Sequence, residues 1–128
     1  MIKIKTITED LVMFINGIMS STGRTLNLYP GAAFEGTKIP FMIYRRSNID
    51  DLVSKDGLCN RNLTFDIDIV TNNYNDGVEI LDDISEAFYG SSFTGTYTYD
   101  VKIFSIMESV DAESGLFIQT ITVTISAS

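Results

Sequence analysis

Alternation of apolar and polar residues over positions 63–71 constrains the fold of this chain more than any other feature. The odd positions up to Ile69 carry leucine, phenylalanine or isoleucine, whereas Thr64, Asp66 and Asp68 occupy even positions. Successive side chains of a β-strand point to opposite faces, so the pattern predicts a strand with one buried and one solvent-facing side. The other elements of the chain must then cover one face of a sheet.

Two segments carry the apolar periodicity of amphipathic helices. In the first, apolar residues follow the spacing i, i+3, i+4, i+7 and i+8: Leu11, Phe14, Ile15, Ile18 and Met19. Thr6 and Glu9 lie three residues apart before this stripe, which predicts a capping box. The second stripe consists of Val78, Leu81, Ile84 and Phe88. We expect Asn75 or Asp76 to cap this second helix.

The remaining apolar runs predict a small sheet. Further strands are expected at residues 25–29, 41–44, 101–110 and 116–126. The last two form an antiparallel hairpin, residues 47–60 form a long polar loop, and residues 90–100 form a flexible connection. The predicted fold is α+β: one domain spanning the 128 residues, with a mostly antiparallel sheet of four to five strands and two helices packed on one face. The expected core consists of Leu11, Ile15, Ile18, Phe41, Ile43, Phe65, Ile67, Ile69, Leu81, Ile84, Phe88, Ile121 and Val123.

Charge is distributed unevenly along the chain. Residues up to Arg61 include eight Lys or Arg and six Asp or Glu, whereas the later residues include Lys102 and eleven Asp or Glu. The net charge of −8 argues against nucleic-acid and anionic-membrane binding, because phosphate contacts come chiefly from Lys and Arg. No apolar run approaches the roughly 20 residues of a membrane-spanning helix. Glu9 and Asp10 also interrupt the region where a signal peptide would be apolar, so we expect a soluble protein that is not exported.

The composition leaves few catalytic groups. The chain has no histidine, and Cys59 is its only cysteine, which excludes Ser-His and Cys-His catalytic pairs, an internal disulfide and a cysteine-based zinc site. Asp66 and Asp68 share a strand face roughly 7 Å apart. Together with the acidic second helix they leave open a carboxylate-based metal-binding protein or enzyme, although such a pair is also typical of a solvated strand face. We predict a non-enzymatic protein without a cofactor.

Two groups of residues are candidates for an interface. The first lies in and around the predicted polar loop: Arg45, Arg46, Ile49, Asp50, Asp51, Leu52, Val53, Leu58 and Arg61. The second lies on the polar side of the second helix: Glu79, Asp82, Asp83 and Glu86. Like charges at helical spacing destabilise a helix slightly unless a partner supplies cations. The second group therefore indicates a solvated face, a repulsive surface or a contact with a basic partner, and an acidic adaptor that forms no ring remains an alternative.

The order of these segments resembles a known family. Residues 40–44 read Pro-Phe-Met-Ile-Tyr and precede a polar segment, then Gly57-Leu58 with Arg61 three residues later, the alternating strand and an acidic helix. In this order the chain resembles the tail-completion proteins of tailed bacteriophages, which are also called tail terminators, head-tail joining proteins or neck proteins. Tyr29-Pro30 and the closing hairpin fit the same layout, so the resemblance covers nearly the whole chain.

The resemblance implies a structural role in a virion. It implies a subunit that forms a hexameric ring on the last ring of the tail tube protein, stops tube growth and presents a surface to the head connector. The protein would lie in the neck or tail of the virion, and in the host cytoplasm during assembly. DNA would pass through the ring without specific binding. Glu79, Asp82, Asp83 and Glu86 are candidates for an acidic lining of the ring lumen that would repel it. A head-to-tail contact between a more basic and a more acidic surface would close the ring.

Overall fold

The computed structural model describes residues 2–33, 36–54, 57–89 and 92–128, and of residues 52–54, 57–59, 92 and 104 it describes the backbone alone. The chain has an α+β fold. Its elements in chain order are α1 (Ile4–Ser21), β1 (Leu28–Pro30), β2 (Phe41–Ser54), β3 (Gly57–Thr71), α2 (Tyr74–Phe88), β4 (Ser92–Thr94), β5 (Thr98–Val110) and β6 (Phe117–Ala127). None of the described helices has the length and apolar character that a membrane span requires.

The strands form a six-stranded sheet in the order β1-β2-β3-β6-β5-β4. β1 runs parallel to β2, and the other neighbours are antiparallel. The prediction of four to five strands is therefore wrong. The strand that it missed is β4, which pairs with the first residues of β5 inside the segment that was expected to be a flexible connection. Three residues are too few to show an alternating pattern.

The long polar loop predicted over residues 47–60 is also wrong. β2 and β3 pair from Phe41 opposite Val70 to Ser54 opposite Gly57, and only Lys55 and Asp56 of that segment fall outside the described residues. Polar residues face each other across this part of the hairpin, as Asp51 faces Arg61. Because these residues are polar, this part of the hairpin shows no alternation of apolar and polar residues from which the strands could have been predicted.

Three register shifts interrupt the long strands. The β2–β3 pair shifts between Arg46 and Asn48 and again between Leu52 and Val53, and the β5–β6 pair shifts between Ile103 and Ser105. A bulge inserts one extra residue and increases the local twist of a strand. The sheet is accordingly curled, and the helices lie on one side of it.

Both helices begin differently from the prediction. α1 already begins at Ile4, and Lys3 at its N-cap position makes no side-chain capping bond, so the predicted capping box is wrong. α2 is capped by Asn73, whose side chain accepts hydrogen bonds from the backbone N–H groups of Asn75 and Asp76 at 3.0 and 3.3 Å. Asp76 lies in the first turn instead, where a carboxylate is favoured by the helix dipole.

One core lies between the helices and the sheet. It joins buried residues of α1 and α2 to the alternate residues of the central strands: Ile7, Leu11, Ile15, Ile80, Leu81, Ile84, Phe88, Leu63, Phe65, Ile67, Ile69, Ile121, Val123 and Ile125. In β2 the predicted face is wrong, because Met42 is fully buried while Phe41 and Ile43 are half-buried on the other side. Four consecutive apolar residues carry no alternation, so their sequence cannot show which ones point inward.

Candidate functional site

The sheet has one face without a helix among the described residues, and we call it the open face. Alternation along β3 and β6 places polar side chains there, because the residues between them belong to the core. Its members in the central strands are Asn62, Thr64, Asp66, Asp68, Thr120, Thr122 and Thr124. Asn48 and Asp50 of β2 join Asn62, Thr64, Thr122 and Thr124 around a shallow depression of about 370 Å³.

A ladder of side-chain hydrogen bonds crosses the open face. Thr120 Oγ1 donates to Asp68 Oδ1 at 2.6 Å, and Thr122 Oγ1 donates to Asp66 Oδ1 at 2.7 Å. Each bond joins residues that are direct partners in the β3–β6 register. Directly opposed side chains are the unit of sheet stabilisation, so these bonds fix the register of the two central strands from the polar side.

Arg45 extends the ladder to β2. Its Nη2 lies 3.0 Å from Asp68 Oδ2, and the Asp68 side chain is 12% exposed. Asp66 and Asp68 therefore each bind groups of their own chain. In the part of the chain that the structure describes, no group of three or more His, Cys, Asp or Glu side chains is placed to hold a metal ion.

The other two candidate arginines also contact their own chain. Arg61 donates from Nε and Nη2 to the two carboxylate oxygens of Asp51 at 2.8 and 2.9 Å, and from Nη1 to the carbonyl oxygen of Ile2 at 3.1 Å. The hydrogen bond from Arg61 lowers the pKa of Asp51, and the same bond raises the pKa of Arg61. Arg46 Nη1 donates to Thr8 Oγ1 at 3.0 Å. These arginines thus fasten the β2–β3 hairpin to the N-terminal region.

The end of the β2–β3 hairpin projects beyond the rest of the sheet. β3 pairs with β6 only from Arg61 onwards, whereas its pairing with β2 begins at Gly57. At about 3.3 Å per residue, the projection is about 13 Å long. The backbone of Leu52, Val53 and Leu58 lies in this projection, and their side chains fall outside the described ones.

The acidic residues of α2 are not equivalent. Glu79, Asp82 and Glu86 are exposed. Asp83 instead accepts hydrogen bonds through Oδ2 from Nε and Nη2 of Arg24 at 3.1 and 2.8 Å, and both side chains are partly buried. Asp83 therefore ties α2 to the segment after α1, while the other three carboxylates face solvent.

Sequence reasoning did not single out a polar cluster around Asp10. The hydroxyl of the fully buried Tyr99 donates to Asp10 Oδ2, and the backbone N–H of Thr96 donates to the same oxygen at 2.8 Å. Burial and the bond to Asp10 raise the pKa of Tyr99. The cluster joins α1 to the β4–β5 turn. Its residues lie far apart in the chain, so no local pattern indicates it.

A groove between α1 and β2 was also missed. It has a volume of about 730 Å³ and is lined by Ile4, Lys5, Thr8, Glu9, Val12, Met13, Tyr44 and Arg46. Met13 lies at the side of this groove and is 72% exposed. The sequence contained a signal for this groove. Ile4, Val12 and Met13 are apolar but lie outside the predicted apolar stripe of the helix, which indicates a second apolar surface on it.

Comparison with known proteins shows a similarity at the level of fold. No protein-family model matches the chain, and no curated protein sequence matches it significantly. The fold is similar to that of a chain in a solved structure described as the virion of a native gene transfer agent particle, with a TM-score of 0.62 and 11% sequence identity. The similarity covers 86% of this chain and 83% of that chain. At this identity, the comparison establishes that the two chains share a fold.

Proposed function

We propose that this protein is a structural, non-enzymatic component of a phage-like virion. Within that class, it is a tail-completion subunit that forms a hexameric ring, caps the tail tube and meets the head connector. The observation that carries the proposal is the fold shared with a chain of a gene transfer agent virion, which extends over more than four-fifths of both chains. The resemblance of the segment order to tail terminators supports the finer assignment.

The charges of the open face support a role beside passing DNA. Phosphate binding relies on uncompensated Lys and Arg side chains. Arg45 and Lys102 lie on this face. The Asp68 carboxylate compensates the charge of Arg45 at 3.0 Å, and the carboxylates of Asp50 and Asp66 on the same face outnumber Lys102. The protein also carries a net charge of −8. A surface of this kind lets DNA pass without retaining it.

Electron microscopy of particles made without this gene tests the role directly. A tail terminator stops tube growth and joins the tail to the head, so its loss should give overlong tails or tails without heads. Restoring the gene in trans should restore normal particles. Tails of normal length joined to heads in the absence of the protein would contradict the proposal.

The projecting hairpin end is the proposed assembly element. Removing residues 52–60 and joining Asp51 to Arg61 through an Asn-Gly turn should spare the fold, because these two residues are direct partners and Asn-Gly suits a two-residue hairpin. We expect thermal stability to change little and incorporation into particles to be lost. The matched control replaces residues 112–115, at the opposite end of the sheet, with the same turn. Normal incorporation of the first variant would place the interface elsewhere.

A further inference from the structure

We infer that the sheet continues from one copy of this chain into the next, with the outer edge of β5 pairing antiparallel with the outer edge of β2 of a second copy. The inference rests on the proposed ring and specifies the contact that builds it. It starts from the observation that β4 and β1 cover only part of the two sheet edges.

Both edges are open over long stretches of equal length. β4 pairs with β5 only as far as Asp100, and β1 pairs with β2 only as far as Tyr44. Among the described residues, no further strand lies outside residues 101–110 or residues 45–54. Open edges present unpaired backbone groups that favour pairing with another chain.

The open edges also carry exposed apolar side chains. Ile49 on the β2 edge is 45% exposed, and Ile106 and Met107 on the β5 edge are 40% and 67% exposed. Monomeric proteins usually protect such edges with charges, proline or a covering segment. The β2 edge carries charged residues, but the apolar side chains beside them stay exposed. A second copy would supply the cover that these apolar side chains lack.

Strand directions agree with a head-to-tail contact. β2, β3, β6 and β5 are successive antiparallel neighbours, so β2 and β5 run in opposite directions. A copy placed beside the first in the same orientation therefore brings its β2 antiparallel to β5 and keeps the helices on the same side. Such a contact uses a different edge on each copy and closes into a ring if the rotation closes.

The β-bulges and side-chain faces select one register. Aligning the bulge of β5 with the first bulge of β2 places Lys102 opposite Asp50 and Ile103 opposite Ile49. The paired stretch then comprises residues 101–107 of one copy and residues 45–51 of the next. Beyond it the two strands must diverge, because β1 already pairs with residues 42–44 and β4 with residues 98–100. Lys102 pairs with Thr124, and Asp50 pairs with Asn62, so both lie on the open face. Ile103 and Ile49 pair with the buried Val123 and Leu63 and lie on the helix-covered face. A slip of one residue would put each side chain on the wrong face.

The charges favour the same register. Lys102 is the only Lys or Arg after Arg61, and it meets a carboxylate. Beyond the bulges, Ile106 and Met107 fall opposite Arg46 and Arg45. The aliphatic stems of arginines cover apolar surface while their charged ends stay hydrated, so these pairs remove the exposed apolar side chains from water.

Disulfide trapping tests the register in the free protein. In a Cys59→Ser background, Ile49→Cys and Ile103→Cys variants are mixed at high concentration and oxidised with copper-phenanthroline. Directly opposed residues of an antiparallel pair have Cα atoms about 4.5–5.5 Å apart, which suits a disulfide. We expect a covalent dimer in the mixture and little from either variant alone. The control pairs Ile49→Cys with Ser105→Cys, which lies on the other face.

The outcomes separate this inference from the proposed function. Oligomers in sedimentation velocity without the expected cross-link, or with a stronger control cross-link, would overturn the register. A protein that remains monomeric and without cross-links at this concentration would also overturn the inference. In both cases the particle experiment decides the proposed virion role independently.

A charge exchange provides a test without cysteines. Lys102→Glu and Asp50→Lys should each weaken self-association roughly fivefold, because each places like charges opposite one another. The double variant should restore the wild-type dissociation constant. Additive weakening in the double variant would contradict the pairing of these two residues.

Discussion

The two faces of the sheet are stabilised by different interactions, although the same strands build both. Along β6, the core-facing residues Ile121, Val123 and Ile125 are fully buried, whereas the intervening threonines are half-buried. The covered face gains stability from apolar burial. The open face gains it from hydrogen bonds between registered partners, such as Thr122 and Asp66. The open face can therefore stay hydrated and available for contacts, while the covered face specifies the fold.

The largest expected effect is on the covered face. Phe65→Ala should lower the free energy of unfolding by about 3–5 kcal/mol, because it removes a fully buried ring and leaves a cavity. Leu81→Ala on α2 should cost about 2–5 kcal/mol for the same reason. Urea denaturation measures both, with Thr124→Ala on the open face as the control at about 1 kcal/mol or less. Equal costs on the two faces would contradict the difference between them.

The second prediction concerns the polar cluster around Asp10, which joins α1 to the β4–β5 turn. Asp10→Asn should cost about 1–3 kcal/mol, because it weakens the acceptor of the buried Tyr99 hydroxyl and of the Thr96 N–H group. Glu9→Gln, one residue earlier on the exposed side of α1, is the matched control and should be nearly neutral. Thermal melts distinguish the two variants. If Asp10→Asn leaves the stability unchanged, the cluster does not stabilise the fold.

The same cluster predicts a loss of stability in alkali. Burial and the bond to Asp10 raise the pKa of Tyr99 above its ordinary value of 10.0. The unfolded chain therefore loses this proton first, and the contribution of Tyr99, complete below pH 10, declines as pH rises further. Melts between pH 8 and 11 should show a steeper decline for the wild type than for Tyr99→Phe. Parallel profiles would contradict this coupling.

The third prediction sharpens the description of the open face. Asp68→Asn should cost about 1 kcal/mol, because Arg45 loses its carboxylate, while Asp66→Asn keeps an acceptor for Thr122 and should cost about 0.5 kcal/mol or less. Thermal melts with calcium, magnesium or manganese should show no saturable stabilisation. A saturable rise that Asp66→Asn abolishes would favour the metal-binding alternative.

The smallest effects are expected on α2, away from both faces. Glu79→Gln, Asp82→Asn and Glu86→Gln should each change stability by about 0.5 kcal/mol or less, because these residues are exposed. Asp83→Asn should cost more, about 1 kcal/mol, through its bond with Arg24. In a binding assay, the exposed carboxylates should act in proportion to their number and more weakly in salt. A single change that abolishes binding would indicate a site of defined geometry.

Part of the candidate surface could be predicted from local sequence, and part could not. The amphipathic face that leaves Glu79, Asp82 and Glu86 in solvent is a property of one helix. The pairing of Asp83 with Arg24, and that of Asp10 with Tyr99, join residues from distant parts of the chain. No spacing within one segment can indicate such contacts. Whether the exposed residues form an interface stays a prediction.

The sequence by itself determined the α+β class, the two helices, the central strand over residues 63–71 and the closing hairpin, because each has a periodicity of its own. The tertiary structure decided which side of β2 faces the core, that residues 47–54 and 57–60 belong to two long strands, and that β4 completes a six-stranded sheet. The apolar run at residues 41–44, the polar part of the β2–β3 hairpin and the three-residue strand β4 have no local periodicity. Their conformations depend on the strand that lies beside them, and only the folded chain supplies it.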